Sequence, residues 1–164
     1  GRIAIGGDSA GGNLSAVTTL AAMAGQCPLP AYQLLIYPVT DLACDTRSYE
    51  QFADGYFLTR SLMLWFRDHY LPGLGAHTDP QASPLRADLR RPLPPALVIT
   101  AGFDPLLDEG LAYARKMRAA GTEVTYRCHE GLIHGFVNLT GAIPAARSAL
   151  AEATTALRLA FARI

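Results

Sequence analysis

Gly7-Asp8-Ser9-Ala10-Gly11 follows a short apolar run, Ile3-Ala4-Ile5-Gly6, and leads into a stretch rich in Ala and Leu. A serine set between glycines at a strand-to-helix turn has its hydroxyl pushed clear of the backbone, where it can act as a nucleophile. The flanking glycines suit such a turn, because strand and helix nearly touch there and side chains would collide.

A hydroxyl attacks at neutral pH when a base takes its proton and a third group orients that base. The candidate bases are His69, His77, His129 and His134. His69 falls in an amphipathic stretch and His77 in a Gly-Ala loop, where structural or exposed roles suffice. His129 ends a strand-like segment, and His134 lies in Gly131-Leu132-Ile133-His134-Gly135-Phe136, read as a loop beyond that strand's C-terminal end. Open α/β sheets gather their ligand and catalytic groups at this edge. Loop placement therefore favours His134 over His129.

The orienting acid is expected past another strand end, between serine and histidine in chain order, and Asp104 meets both conditions. A rival account makes Asp104, before Pro105, an ordinary helix N-cap. Asp108 and Glu109 are explained as acidic residues in a first helical turn, favoured by the helix dipole. A carbonyl oxygen that gains negative charge needs preorganised N–H donors. The amide of Ala10, at the start of a helix, is one; a second is expected from a Gly-rich loop after an earlier strand, and these 164 residues contain no such loop. Asp8 reads as structural, since its place inside the turn offers no proton path.

The elements that must hold these groups alternate. Residues 2–6 read as a strand and 10–25 as a helix ended by Gly25 and Pro28. Leu34-Leu35-Ile36-Tyr37, stopped by Pro38, and Ala96–Ala101 are further strands. Pro105 opens a helix to about 119, Glu123–Cys128 alternates as a fourth strand, and a last helix spans roughly 143–163 with Leu150, Leu157, Phe161 and Ile164 on one face. Strands separated by helices imply a mostly parallel sheet flanked by helices on both faces, an α/β fold. Residues 41–95 break the alternation. They contain an amphipathic helix marked by Leu58, Leu62, Trp65, Phe66 and Tyr70, read as core, and then six of the eleven prolines between 72 and 95.

Fourteen basic and fourteen acidic side chains cancel, so neither nucleic acid nor an anionic membrane is implied as a partner. No apolar run reaches the ~18 residues of a membrane span. Cys27, Cys44 and Cys128 are odd in number and widely spaced, which disfavours a disulfide framework or zinc site and suggests reduced thiols in the cytoplasm. The chain opens without a methionine and close to a strand, and reads as the C-terminal part of a longer protein with the whole of 1–164 in one catalytic domain.

At this point the chain resembles the hormone-sensitive-lipase branch of the α/β-hydrolases, the branch that includes the family IV bacterial esterases. The resemblance rests on Gly7-Asp8-Ser9-Ala10-Gly11-Gly12-Asn13, Tyr37-Pro38, Gly55-Tyr56-Phe57-Leu58-Thr59, Ser83-Pro84-Leu85, the run from Pro94 to Gly110 and His134-Gly135-Phe136, in family order over nearly the whole chain. It implies Ser9 as nucleophile, His134 as base and Asp104 as acid, with no metal or organic cofactor. It implies a partial α/β-hydrolase fold lacking the N-terminal strands, the helical cap and the His-Gly-Gly-Gly oxyanion segment. The expected activity is a serine carboxylesterase acting on small, short-chain esters, with a possible homodimer through the last strand and helix. A serine peptidase or amidase on the same fold, and a non-catalytic module that keeps the triad letters, are the rival readings.

Overall fold

Four strands form one parallel sheet in the computed structural model, which describes residues 3–71, 73 and 76–163. In chain order the elements are β1 (Ala4–Asp8), α1 (Ala10–Met23), β2 (Tyr32–Ile36), α2 (Arg47–Gln51), α3 (Arg60–Tyr70), β3 (Ala96–Phe103), α4 (Leu107–Ala119), β4 (Val124–Ile133) and α5 (Pro144–Ala162). The strands lie in the order β1-β2-β3-β4 and every neighbouring pair is parallel. Parallel neighbours need a crossover, so a helix or the long 41–95 segment follows each strand.

Alternation along β2 and β3 sends side chains to opposite faces and builds two cores. Leu35 and Val98 pack with Ala16 of α1 and Tyr113, Ala114 and Met117 of α4. Ile36, Leu97, Ile99 and Ala101 pack on the other side against Ala146, Ala149 and Ala153 of α5. Helices thus cover both faces, as parallel sheets require. A third core, Val39, Leu42, Cys44, Tyr49, Leu58, Met63, Ala82 and Leu106, holds the segment between β2 and β3 against the start of α4.

Several boundaries differ from the sequence reading. The first strand, expected at 2–6, runs Ala4–Asp8, with residue 2 outside the described residues. β2 ends at Ile36, so Tyr37 leaves the strand, with φ of 32°. α4 begins at Leu107 rather than Pro105, because Asp104, Pro105 and Leu106 form a turn ahead of it. β4 extends to Ile133, which places His129 inside the strand and leaves only the end of the expected 131–136 loop, from His134 onward, beyond it.

Two helix faces are also corrected. Leu62, Trp65, Phe66 and Tyr70 were expected in the core but lie 39% to 53% exposed, while Met63 is the residue of α3 that is buried. On α5 the sheet takes the stripe Ala146, Ala149, Ala153 and Ala160, and Leu150 faces outward; Ile164 lies outside the described residues. Small side chains let the helix axis approach the sheet closely. Hydropathy marks a helix with two apolar stripes without saying which one is covered.

Candidate active site

The turn that carries Ser9 is tight in the way its sequence suggests. Ser9 sits between β1 and α1 with φ 53° and ψ −117°, a sparsely populated conformation for a side chain with Cβ. The surroundings hold it there. Ser9 N donates to Ile36 O at 2.9 Å, and Ser9 O accepts from Asn13 N at 3.1 Å and Val39 N at 3.2 Å. A Cβ on Gly7 would lie 2.4 Å from the carbonyl carbon of Gly11, and one on Gly12 would lie 2.8 Å from Cβ of Pro38. Gly11 itself has open space where its Cβ would go, so the crowding expected at both flanking glycines falls on Gly7 and Gly12 instead.

The ends of β3 and β4 supply the other two groups. Between the pairs Ala101–His129 and Phe103–Ile133, β4 gains two residues over β3, and the backbone of Glu130 presses against Gly102 so closely that a Cβ there would sit 2.2 Å from its carbonyl oxygen. Such bulges re-aim a strand end, and this one delivers His134 immediately after Ile133. Asp104 follows β3 directly and is fully buried. Its Oδ1 accepts from Leu106 N at 2.9 Å and its Oδ2 lies 2.8 Å from His134 Nδ1. Asp104 is not the helix N-cap of the rival account, since Leu106 holds that position; one oxygen serves the turn ahead of α4 and the other is left for His134.

The line continues to the serine. His134 Nε2 lies 3.0 Å from Ser9 Oγ, within the reach that proton transfer requires. Nδ1 then donates to the carboxylate and Nε2 accepts the hydroxyl proton, which is the tautomer a base needs. His129 is elsewhere: its Nε2 is 3.7 Å from Glu152 and its ring rests against Phe136. His69 Nδ1 meets the Trp65 carbonyl on α3, and His77 lies in the short 3-10 turn Ala76–Thr78. Ala10, the first residue of α1, is exposed. Its N–H is one of the donors that a helix leaves without an intrahelical partner.

Five residues that the sequence reading left without a site role hold this arrangement. Asn13 donates its amide to Val39 O at 2.9 Å and Ala82 O at 2.8 Å, tying the chain just before the 41–95 segment and a point within it to α1. Glu109, fully buried, accepts Thr40 N at 2.6 Å and Asp41 N at 3.2 Å. Burial raises its pKa well above the ordinary carboxylate range, the two N–H donors oppose this, and the nearby Asp41 and Asp104 add to it. Ser48 and Asp108 exchange bonds, Ser48 N to Asp108 Oδ2 at 2.9 Å and Asp108 N to Ser48 Oγ at 3.2 Å, so α2 is pinned beside the turn that carries Asp104. Tyr37, fully buried, donates to Asp8 Oδ2 at 3.2 Å and lays its ring on His134, with centroids 4.5 Å apart. Spacing along the chain could not have shown these links, since each joins residues far apart in sequence. The motifs that carry the resemblance gave the one available signal, by containing Asn13, Tyr37, Asp108 and Glu109. Among the described residues no group of three or more His, Cys, Asp or Glu is arranged to hold a metal ion.

Comparison with known proteins bears on the fold and the family. The model of a family described as having the alpha/beta hydrolase fold matches residues 1–138. A carboxylic ester hydrolase, LipN, of Mycobacterium tuberculosis is 44% identical over 169 residues, covering 100% of this chain and 45% of the relative. An ethyl acetate hydrolase of Pseudomonas putida is 35% identical over 159 residues, covering 96% and 50%. Among solved structures, a thermostable esterase from Pseudomonas putida superposes with a TM-score of 0.93 at 46% identity, covering 98% of this chain and 51% of that one. The chain spans about half the length of the curated relatives it matches.

Proposed function

The chain belongs to the α/β-hydrolases, in their hormone-sensitive-lipase branch, and from that premise we propose that its gene product is a serine carboxylesterase for short-chain esters of small molecules. The observation that carries the reading is the hydrogen-bonded line from Ser9 Oγ through His134 to Asp104, at 3.0 Å and 2.8 Å.

In this mechanism Ser9 Oγ attacks the ester carbonyl carbon while His134 Nε2 takes the hydroxyl proton. The carbonyl oxygen becomes an oxyanion, and the Ala10 N–H donates to it; a second donor comes from outside these 164 residues. The intermediate collapses by expelling the alcohol oxygen, which leaves with the proton held by His134. Water then attacks the acyl-serine with His134 again as base, and the acid departs. Asp104 keeps the imidazole in the useful tautomer and stabilises its charged form. None of these steps draws on a metal or organic cofactor. Two esterolytic relatives support the substrate class, one of them named for ethyl acetate. The three free cysteines support a reducing, cytoplasmic setting, and among the described residues no helix is long and apolar enough to cross a membrane.

A panel of p-nitrophenyl esters beside aminoacyl amides tests the reading, together with titration of Ser9 by an organophosphate. Hydrolysis confined to esters of short acids, with one serine labelled per chain, is the expected result. Amide turnover exceeding ester turnover would favour a peptidase, and an unlabelled serine would make the chain a non-catalytic module.

A further inference from the structure

His134 is held at both ends of its long axis, by Asp104 at Nδ1 and Ser9 at Nε2. Two such contacts leave the ring free to tilt about the line that joins them. Resistance to tilting must come from a group packed against the ring, and Tyr37 is such a neighbour, its centroid 4.5 Å away and its plane inclined by 53°.

Tyr37 is itself fixed on several sides. Its amide donates to Ile99 O at 2.6 Å, its ring meets Phe136 edge-on at 5.1 Å, and its hydroxyl donates to Asp8 Oδ2 at 3.2 Å. Asp8 ends β1 and is bonded through the backbone to Ser9, so the brace behind the base is tied to the same turn that carries the nucleophile. Burial, and then the charge of Asp8, hold the Tyr37 phenol above its ordinary range, which keeps it a protonated donor.

We propose that Tyr37, anchored by Asp8, is a positioning residue for His134: its ring fixes the tilt of the imidazole and stabilises the imidazolium formed as Ser9 loses its proton. The proposal rests on the reading of Ser9, His134 and Asp104 as a triad. It also gives Asp8, assigned above to structure alone, a task in the turnover step. A cation near an aromatic face is attracted to it, more so when both are shielded from water. The imidazolium exists only once the hydroxyl proton has moved, so the attraction acts on the transition state and not on ester binding. It should appear in kcat rather than KM. A plain structural staple between β1 and β2 would instead lower the melting temperature and leave the kcat of the folded fraction alone.

The test uses the full gene product with p-nitrophenyl acetate, and compares Tyr37→Leu, Tyr37→Phe, Asp8→Asn and the double variant Asp8→Asn/Tyr37→Phe. Each is normalised to the serine that an organophosphate titrates after complete reaction. Tyr37→Leu is expected to lower kcat about tenfold with KM within about twofold. Tyr37→Phe, which keeps the ring and frees it from Asp8, is expected to lose about threefold and so to rescue most of the leucine defect. Asp8→Asn should match Tyr37→Phe, and the double variant should be no worse than either, because one residue acts through the other. The pair Asp8→Asn and Tyr37→Phe preserves volume and decides the matter if Tyr37→Leu does not fold. Unchanged kcat in the folded variants, or losses that multiply in the double variant, would overturn the proposal. The parallel Ser9→Ala control separates the two levels: hydrolysis that survives it removes the triad reading, whereas hydrolysis that vanishes while kcat ignores Tyr37 removes only this inference.

Discussion

Leu106 and Asp104 share a hydrogen bond that decides what the carboxylate can still do, for the amide occupies Oδ1 at 2.9 Å and leaves Oδ2 to His134 at 2.8 Å. An asparagine at 104 would keep its oxygen on Leu106 N–H and present NH2 to the imidazole. His134 would then have to accept at Nδ1 and carry its proton on Nε2, where it cannot receive one from Ser9. Asp104→Asn is expected to melt near the wild-type temperature and to lose about 10⁴ in kcat, the scale of a wrong-tautomer defect. A steady-state assay of the purified variant reads this, and a loss below tenfold would argue against the acid.

Removing either end of the Ser9–His134 contact should have one and the same result. Ser9→Ala and His134→Ala should each abolish nearly all ester hydrolysis by the full gene product, and the double variant should be hardly worse, since triad members act as a unit. Losses that multiply would mean that a different base serves, with His129 the first to replace in turn.

Glu109 predicts a pH dependence of stability. Its folded-state pKa lies above that of the unfolded chain, chiefly through burial. The unfolded chain therefore releases this proton first. Its contribution is complete below the ordinary glutamate pKa of about 4.3 and declines as pH rises toward the folded value. Glu109→Gln keeps an acceptor for Thr40 N and Asp41 N and removes the titration. Melting curves from pH 5 to 9 should fall less steeply for the variant than for wild type. An equal fall in the two proteins would show that the group is ionised in the fold.

The strand-to-helix turn at Ser9, the alternation of elements and the place of Asp104 were legible because each depends on local spacing: Gly7 to Gly11, an aliphatic run, an acid after a strand. What stayed hidden depends on partners remote in sequence. Asn13 and Ala82 meet across 69 positions, as do Thr40 and Glu109, and no periodicity announces either bond. The extended β4 escaped notice because residues 129–133 lack the apolar alternation of 123–128; their strand character comes from pairing with β3 around the bulge. Trp65 was read as core and lies 53% exposed. An aromatic side chain is large enough to be core or surface, and which it becomes is decided by what the rest of the fold places over it.

The 164-residue segment expressed by itself is expected to self-associate and to turn over p-nitrophenyl acetate at least ~10²-fold more slowly than a complete relative, the scale of one missing oxyanion donor. Among the described residues β1 and β4 are the outer strands, and outer strands template association. The proposed dimer uses β4 and α5, whose Leu150 and Leu159 are 39% and 56% exposed. Light scattering of the segment with both leucines changed to glutamate separates that route from pairing at β1. A monodisperse monomer with full turnover would refute the expectation.

The two groups joined by the bond from His134 to Ser9 stand 125 positions apart, and the intervening chain must complete three crossovers before they meet. Contacts of that span carry a large loop-closure cost and tend to form late. During synthesis the serine leaves the ribosome long before its base does, in a turn whose strain nothing yet exploits. The contact between His134 and Ser9 thus cannot form until β4 has docked, so this arrangement is completed late in folding rather than growing with it.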